Sequence, residues 1–266
     1  MSGKIRVGIG GWTFEPWRDN FYPKGWAKAR ELEYASTHVT AIEINGTFYS
    51  TQKPATWADW ARRTPDDFVF SIKASRFCTN RRILRDGAES IDRFTKQGLS
   101  ELGPKLGPIL WQFAATKQFD PDDFGAFLEM LPTSVDGVPL RHAIEPRHES
   151  FRTSAFIELA RKANAAIVFA DSDKYPQIAD LTADFVYARL QKTREDQPTG
   201  YELGELDGWA SAAQAWAAGE APEGYAYVDP PAASRTGQRD AFLFLISGAK
   251  ARNPAGAMAL IERLAV

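Results

Sequence analysis

The stretch Ala143-Ile144-Glu145-Pro146-Arg147-His148-Glu149-Ser150 places an acid, a base and a histidine directly after a short apolar run that begins at Leu140. The same change occurs in AIEIN at 41–45, VFSIK at 69–73 and IVFAD at 167–171. Short runs that are apolar almost throughout are typical of parallel strands buried on both faces. Reactive side chains at their carboxyl ends are typical of a (β/α)8 barrel, because its active site is built at that end.

Strands and helices alternate along the predicted chain. Strands are predicted at residues 6–11, 41–48, 68–74, 107–113, 140–145, 165–170, 185–190 and 225–229. Helices are predicted at residues 26–37, 54–63, 90–102, 121–131, 154–164, 205–218 and 239–264, with only a turn expected near 178–181. This alternation indicates a parallel α/β fold, and eight units favour a closed barrel over an open sheet. We predict a single TIM-type barrel domain, residues 1–266, with outer helices.

The composition is that of an ordinary globular domain. The 266 residues suit one barrel, and the hydrophobic content is 44% with a net charge of −2. This charge gives no global basic field of the kind typical of nucleic-acid-binding proteins. The single cysteine, Cys78, excludes an intramolecular disulfide, and neither an apolar signal region nor a membrane-spanning run is seen. We expect a cytoplasmic protein without membrane association. The sequence does not indicate an oligomeric state.

Residues two apart on a strand share a face, which predicts the side chains at the barrel mouth. Four such pairs lie at predicted strand ends: Glu43 with Asn45, Lys73 with Ser75, Glu145 with Arg147, and Arg189 with Gln191. Gln112, Asp171 and Asp229 are expected at the same end. A single charged residue at a strand end is often only the first solvated residue of a loop. Because these ends meet at one place in a barrel, together they favour a functional pocket.

Arg147 and Arg189 are candidate anion-binding residues, since a guanidinium group matches the geometry of a carboxylate or phosphate. The alternative is a structural ion pair with Glu43 or Glu145, and both roles are compatible because a buried arginine needs an acid. Lys73 would add a point charge. Substrate contacts are also expected from Asn45, Gln112 and Asp171, and from Trp12 and Tyr49, which could stack on a sugar or base.

Glu43 and Glu145 are candidates for a general acid and a general base, because two carboxylates in one pocket push their pKa values apart. Neighbouring arginines would instead keep both ionised. His148 is a second acid/base candidate, and the alternative is a loop histidine bonded to backbone. A constitutive metal is not expected, because Lys73, Arg147 and Arg189 would repel it and no compact ligand spacing is present. No Walker or GxGxxG motif predicts a nucleotide cofactor, so the cofactor is unknown.

Six motifs follow one another along almost the whole chain: GIGGWTFEPWRDNFYP at 8–23, EINGTFY at 43–49, FSIKASRFCTN at 70–80, LGPILWQF at 106–113, HAIEPRHESF at 142–151 and ADLTADFVYARL at 179–190. In these motifs the chain resembles the domain of unknown function 72 family of TIM-barrel proteins. The resemblance implies a TIM barrel with no established activity. Similarity of this family to sugar-isomerase and endonuclease-IV-like barrels would imply sugar-phosphate or DNA chemistry, although fold alone does not fix function.

The chain departs from the family pattern at three places. Asn80 stands where many members carry histidine, Leu190-Gln191-Lys192 replaces Leu-His-Gly, and YVDPP at 227–231 replaces a Phe-Asn-Asn type motif. These differences weaken any mechanism that needs several imidazoles. The residues that still match are Glu43, Lys73, Glu145, Arg147, His148 and Arg189.

Three functions are compatible with these features. The first is an enzyme of unassigned reaction, with Glu43, Glu145, Lys73 and His148 as catalytic groups acting on a small phosphorylated or carboxylated substrate. The second is a nucleic-acid-binding or nuclease-like protein, in which the loop cations Arg76, Arg81, Arg82 and Arg85 contact phosphates. The third is a non-catalytic accessory or assembly factor.

Overall fold

Eight parallel strands close a barrel in sequence order in the computed structural model, which describes residues 3–229 and 237–264. The strands are β1 (Ile5–Gly10), β2 (Ala41–Ile44), β3 (Val69–Lys73), β4 (Leu106–Gln112), β5 (His142–Glu145), β6 (Ala166–Asp171), β7 (Phe185–Leu190) and β8 (Asp240–Leu245). Strand β1 closes the barrel by pairing with β8 from Ile5 opposite Ala241 to Ile9 opposite Leu245. The predicted TIM-type barrel is confirmed, and the other residues of the predicted 1–266 domain lie outside the described part.

Helices surround the strands. They are α1 (Glu31–His38), α2 (Pro54–Arg62), α3 (Arg76–Thr79), α4 (Ala88–Thr95), α5 (Pro121–Glu129), α6 (Ser154–Lys162), α7 (Leu203–Ala218) and α8 (Asn253–Leu264). Side-chain caps fix four of the starts: Ser75 caps α3, Asp120 caps α5, Thr153 caps α6, and Glu202 and Glu205 form a capping box on α7.

The connection between β6 and β7 contains no helix, although a turn near 178–181 was expected there. Thr182 ties this segment to the barrel instead. Its hydroxyl accepts a hydrogen bond from the Ile167 N–H and donates one to the Ala165 carbonyl. Two hydrogen bonds of one hydroxyl group thus anchor this helix-free segment to the start of β6.

The prediction for the eighth strand is wrong. Residues 225–229 form no strand, because the backbone N–H groups of Val228 and Asp229 bond to the Asp180 carboxylate rather than to a neighbouring strand. Strand β8 is the apolar run of residues 240–245, which was included in the predicted helix 239–264. That run cannot be told from a buried helix by periodicity alone. Residues 230 and 231 of the YVDPP stretch lie outside the described residues.

Several other predicted elements are shorter than expected. The predicted strand 41–48 ends at Ile44 and is followed by a 3-10 turn, Gly46–Phe48. The predicted helix 90–102 ends at Thr95, because Gly98 has a φ of 103° that only glycine adopts readily. A Cβ at Gly98 would also lie 2.8 Å from the Pro54 Cα at the start of α2.

The barrel interior changes from apolar to charged along its axis. The inward side chains at the amino ends of the strands are apolar and fully packed; they include Ala41, Val69, Ala143, Phe185 and Phe242. The inward side chains at the carboxyl ends are Glu43, Lys73, Glu145 and Arg189, all buried. The packed lower layers therefore close the barrel from below, and chemistry is confined to its carboxyl end.

His142, the first residue of β5, has a structural role. Its Nδ1 accepts a hydrogen bond from Trp111 Nε1 at 3.0 Å, and its Nε2 lies 2.8 Å from the Pro132 carbonyl oxygen. Burial lowers the pKa of His142 from 6.5 to about 4.

We expect the wild-type protein to lose stability as the pH falls from 6.5 to about 4, because His142 is held neutral in the folded state but is protonated in the unfolded state. Urea unfolding across this range would measure the effect. His142→Gln offers the same donor and acceptor types without a proton equilibrium, so its stability should fall less steeply. Equal slopes would contradict this assignment.

Candidate active site

Arg189 lies at the centre of the barrel mouth and joins side chains from three other strands. Its Nε and Nη2 donate to the two carboxylate oxygens of Glu43 at 3.1 and 2.9 Å, a bidentate pair. Its Nη1 donates to Glu145 Oε2 at 2.7 Å and, more weakly, to Gln112 Oε1 at 3.4 Å. Both carboxylates are fully buried. These contacts confirm the predicted inward face and the structural ion-pair interpretation of Arg189.

A second arginine, Arg147, also compensates the negative charge of Glu145. Arg147 Nε and Nη2 donate to Glu145 Oε1 at 3.1 and 3.0 Å, and Nη2 also donates to Gln112 Oε1 at 2.7 Å. The Arg147 guanidinium lies 4.1 Å from the ring centre of Tyr175, whose hydroxyl accepts from Nη1. Burial would raise the pKa of Glu145, but Arg189 and Arg147 outweigh it and lower that pKa below its ordinary value. Glu145 is therefore ionised and has no proton to donate at neutral pH.

Two hydroxyl groups continue the network into the barrel. The Tyr187 hydroxyl donates to Glu43 Oε2 at 2.7 Å and lies 2.7 Å from Ser71 Oγ. Ser71 Oγ also donates to the Pro108 carbonyl. Burial, and then the charge of Glu43, raise the pKa of Tyr187 well above its ordinary value. Every oxygen of this inner layer is thus hydrogen-bonded, and the Glu43 carboxylate accepts hydrogen bonds from both Arg189 and Tyr187.

Lys73 is the cation of this cluster that lacks a direct partner. Its side chain is only 9% exposed, and within residues 3–229 and 237–264 it forms no hydrogen bond or ion pair. Its Nζ lies 4.2 Å from the ring centre of Phe48. Burial first, and then the charge of Arg189, lower the pKa of Lys73 from 10.5 to about 8, although Glu43 and Glu145 oppose this change.

The charges of the cluster do not cancel. Arg147, Arg189 and Lys73 supply three positive charges, whereas Glu43 and Glu145 supply two negative ones. The net charge is +1 when Lys73 is protonated. The excess lies on the one side chain whose donors are unused, so the cluster favours an anion beside Lys73.

Metal binding has little support in these residues. Among residues 3–229 and 237–264, no group of three or more histidine, cysteine or acidic side chains is placed to hold an ion. The two acids of the cluster already accept hydrogen bonds from Arg189, and positive neighbours disfavour a cation.

Gln191 is a polar group of the mouth to which sequence reasoning gave no role. It follows Arg189 by two residues, so alternation places it on the same face. Its Nε2 is buried and has no hydrogen-bond partner in the described structure. The alternation along β7 was the available signal for Gln191; its unused donor was visible only in the structure.

Asn45 is half-buried, and its Nδ2 donates to the Glu43 carbonyl at 3.3 Å.

Asp171 and Asp229 do not join the cluster. Asp171 pairs in register with Leu190 rather than Arg189, so it points to the outer face, where Tyr201 and Lys192 contact it. Burial raises the pKa of Asp171 despite these two partners. Asp229 contacts Ser154 and Arg161 of α6. The substrate-binding prediction for Asp171 is therefore corrected, because its side chain has the opposite parity.

The two predicted stacking residues lie in different surroundings. Trp12 packs edge-on against Trp60 at 5.1 Å and against Phe70 of β3. The Phe70 side chain belongs to the core between the barrel and the surrounding helices. Trp12 is therefore a packing residue of the outer layer. Tyr49 is 67% exposed, and the Arg76 guanidinium lies 5.9 Å from its ring centre. Its ring remains available at the rim.

His148 acts as a cap. Its Nδ1 accepts a hydrogen bond from the Ser150 backbone N–H at 3.1 Å and lies 2.9 Å from Ser150 Oγ. Because an N–H group can only donate, the ring proton of neutral His148 is on Nε2. No described contact joins His148 to Glu145 or Lys73. The backbone-bonded alternative is thus confirmed, and a proton-transfer role would have to use Nε2.

The basic loop after β3 borders a separate cavity of about 520 Å3. It is lined by Thr79, Asn80, Arg81, Arg82, Ala114, Thr116, Lys117 and Gln118. Asp123 contacts both Lys117 and Arg85, so a single carboxylate offsets part of the charge of these two cations. Arg81 bonds only to uncharged groups in the described structure, namely the Phe77 carbonyl and Ser90. Cys78, beneath the loop, is buried, which raises its pKa to about 12 and makes it a poor nucleophile.

Comparisons with known proteins agree with this architecture. The family described as "Protein of unknown function DUF72" matches residues 6–265. The UPF0759 protein YunF of Bacillus subtilis (strain 168) is 26% identical over 159 residues, which are 58% of this chain and 54% of that protein, so the match spans about half of its length.

Two solved structures resemble the whole chain. A DUF72 family protein of Thermotoga maritima MSB8 has a TM-score of 0.72 at 18% identity, covering 99% of this chain and 100% of that one. A DUF72 family protein of Enterococcus faecalis V583 has a TM-score of 0.67 at 15% identity, covering 98% and 96%. At these identities the likeness concerns the fold. No helix in the described ranges has the length and apolar character needed to cross a membrane.

We expect Arg189→Met to lower the free energy of unfolding by about 3–5 kcal/mol, because Glu43 would remain buried without a bonded cation and Glu145 would retain only Arg147. Urea unfolding at neutral pH measures the change. Arg93→Met is a matched control, since its partner Glu89 is exposed and such pairs contribute about 0–1 kcal/mol. A loss no larger than that of the control would contradict the assignment.

Lys73→Met should stabilise the protein by about 1–3 kcal/mol at pH 7, because the buried ammonium group has a lowered pKa. In the wild type, burial of the Lys73 ammonium group lowers the free energy of unfolding. This loss of stability is fully present below pH 8 and disappears as the pH rises from about 8 to 10.5. The stability difference between variant and wild type should therefore shrink across that interval. A constant difference would show that the lysine is not held in a charge-disfavouring site.

Proposed function

The chain belongs to the DUF72 family of proteins of unknown function, and we propose that it is an enzyme that converts a small anionic substrate at the barrel mouth by acid/base chemistry. The observation that supports this most strongly is the unpaired, buried Lys73 beside a closed network of two carboxylates and two guanidinium groups. A purely structural cluster would be expected to pair all of its buried charges. This one retains an unpaired positive charge.

Lys73, rather than Arg147 or Arg189, takes the principal role towards the anion. The guanidinium donors of both arginines already serve Glu43, Glu145 and Gln112. They hold the carboxylates in place and fix the field around Lys73. The unused Gln191 amide would supply a further donor to an oxygen of the substrate.

The pKa of Lys73, about 8, suits proton transfer near neutral pH. The ammonium form would donate a proton to a developing oxyanion, and the amine form would accept one. Glu145 is kept ionised by its arginines, so it acts by stabilising positive charge and not as a proton donor. Lys73 thereby takes the role of proton donor in place of Glu145.

We expect small anions to raise the melting temperature of the wild-type protein through Lys73. The panel consists of phosphate, pyruvate, glyoxylate and 3-phosphoglycerate, because a ligand that binds only the folded state stabilises it by mass action. Lys73→Met should abolish the shift, and Lys73→Arg should retain part of it. Lys96→Met is the control, since Lys96 is an exposed partner of Asp92 on α4. Equal shifts in all four proteins, or no shift, would contradict the proposal.

A second candidate function, binding of single-stranded nucleic acid, is favoured by the cavity beside the β3 loop. Thr79, Arg81 and Arg82 line it, and the buried Thr79 hydroxyl has no hydrogen-bond partner among the described residues. Next to it, Tyr49 and Phe77 are 67% and 61% exposed, with the Arg76 guanidinium close to both rings. Cations beside exposed aromatic rings are the elements that bind an unpaired strand.

We expect a fluorescent oligothymidylate to bind more weakly as salt rises, with a log–log slope that becomes shallower by about 1–2 in the double variant Arg81→Gln, Arg82→Gln. The control variant Arg62→Gln, Arg93→Gln removes two exposed cations from α2 and α4. Fluorescence anisotropy at several salt concentrations measures the slope. Absence of binding at low salt, or equal slopes in both variants, would remove this candidate.

A further inference from the structure

We infer that Lys73 is a nucleophile that forms a covalent imine with a carbonyl substrate, specifically a small 2-oxo acid. This inference rests on the proposed function, since it concerns the same site, and it names both the substrate class and the bond that forms. The geometry that supports it is an amine at the carboxyl end of a barrel strand, almost fully buried, with the ring of Phe48 4.2 Å from its Nζ and no bonded partner among the described residues.

The absence of a bonded partner distinguishes Lys73 from the other buried lysine of the described structure, Lys105. The Nζ of Lys105 donates to the carbonyls of Ala61 and Thr64 at 2.6 and 2.7 Å, so its donors are used for structure. The Nζ of Lys73 lies 4.2 Å from the ring centre of Phe48 and forms no hydrogen bond or ion pair with the described residues. An amine that must lose a proton and attack a carbon cannot be engaged in strong hydrogen bonds, and burial beside cations increases its neutral fraction.

The surrounding charges fit the product as well as the reactant. An iminium ion carries the same positive charge as the ammonium ion that it replaces, so Glu43 and Glu145 stabilise both. The carboxylate of a 2-oxo acid lies one bond from the iminium carbon and would balance the excess charge of the cluster. The unused amide of Gln191 would donate to one of its oxygens. A neutral ketone lacks this carboxylate and should react less well.

The step is balanced without an added reagent. The Lys73 ammonium releases one proton, its nitrogen lone pair attacks the carbonyl carbon, and a C–N bond forms as the carbonyl oxygen takes up that proton. The nitrogen then expels this oxygen as water, using its second proton, to leave the iminium ion. Overall, one ammonium group and one carbonyl group give one iminium group and one water molecule.

Cyanoborohydride reduces an imine to a stable secondary amine, which provides a test that does not depend on turnover. The folded protein is treated briefly with pyruvate and cyanoborohydride at pH 7, digested, and each lysine-containing peptide is quantified by mass spectrometry. Lys96, which is exposed, is the internal reference. A free-amine fraction set by a pKa near 8 predicts labelling at Lys73 at least about tenfold faster than at Lys96.

The variants separate the possible outcomes. Lys73→Arg retains the charge but should give no adduct at position 73, and its melting temperature should still respond to pyruvate. Acetone in place of pyruvate should label Lys73 more slowly. Labelling of Lys73 no faster than of Lys96, together with a pyruvate shift in melting temperature, would overturn the imine and leave the proposed function standing. Absence of both would overturn both.

Discussion

The buried guanidinium group of Arg189 is the interaction on which the barrel mouth depends. From β7 it bonds to Glu43 of β2, Glu145 of β5 and Gln112 of β4, so one side chain connects four strands. A shift of β2, β5 or β7 by one residue would turn its charged side chain to the opposite face and leave a buried charge without a partner. The network therefore fixes strand register as well as charge, and its rigidity places Lys73 in a constant field.

That field explains why the site is polar but still reactive. Two arginines and two glutamates compensate one another, and Tyr187 and Ser71 satisfy the remaining oxygens below them. Fully satisfied buried networks are rigid, whereas an unpaired buried charge raises the free energy of the folded state. In this cluster the unfavourable energy is concentrated on Lys73. A bound anion would relieve it, which connects the instability of the free site to an affinity for ligand.

Much of this arrangement follows from the sequence because parallel strands have two strong signatures, apolar continuity and a side-chain period of two. These signatures predicted the barrel, seven of its eight strands, and the inward face of Glu43, Lys73, Glu145 and Arg189. From the same inward face, an ion pair of Arg189 with Glu43 or Glu145 was predicted as the alternative to anion binding. The eighth strand was missed because the apolar run at 240–245 was joined to the following helix across Ser247-Gly248 and Asn253-Pro254, two dipeptides that are typical of a break between elements.

Other features depend on contacts that no local pattern specifies. The outward direction of Asp171 is set by its register against β7, one residue from the parity that would have brought it to Arg189. The capping of a turn by His148 depends on the path of the backbone at Ser150. Above all, the unpaired state of Lys73 became apparent only when the donors of Arg147 and Arg189 could be counted against the oxygens of Glu43, Glu145 and Gln112.

The most direct test of the central claim is an NMR titration of Lys73 in protein labelled with ¹³C at the lysine side chains, with the resonance assigned by its loss in Lys73→Arg. If Lys73 is the unpaired cation of the cluster, its Cε resonance should titrate with a pKa of about 8, and addition of pyruvate should move it. A pKa near 10.5 that is indifferent to small anions would show that the lysine is solvated or paired, and would contradict the account.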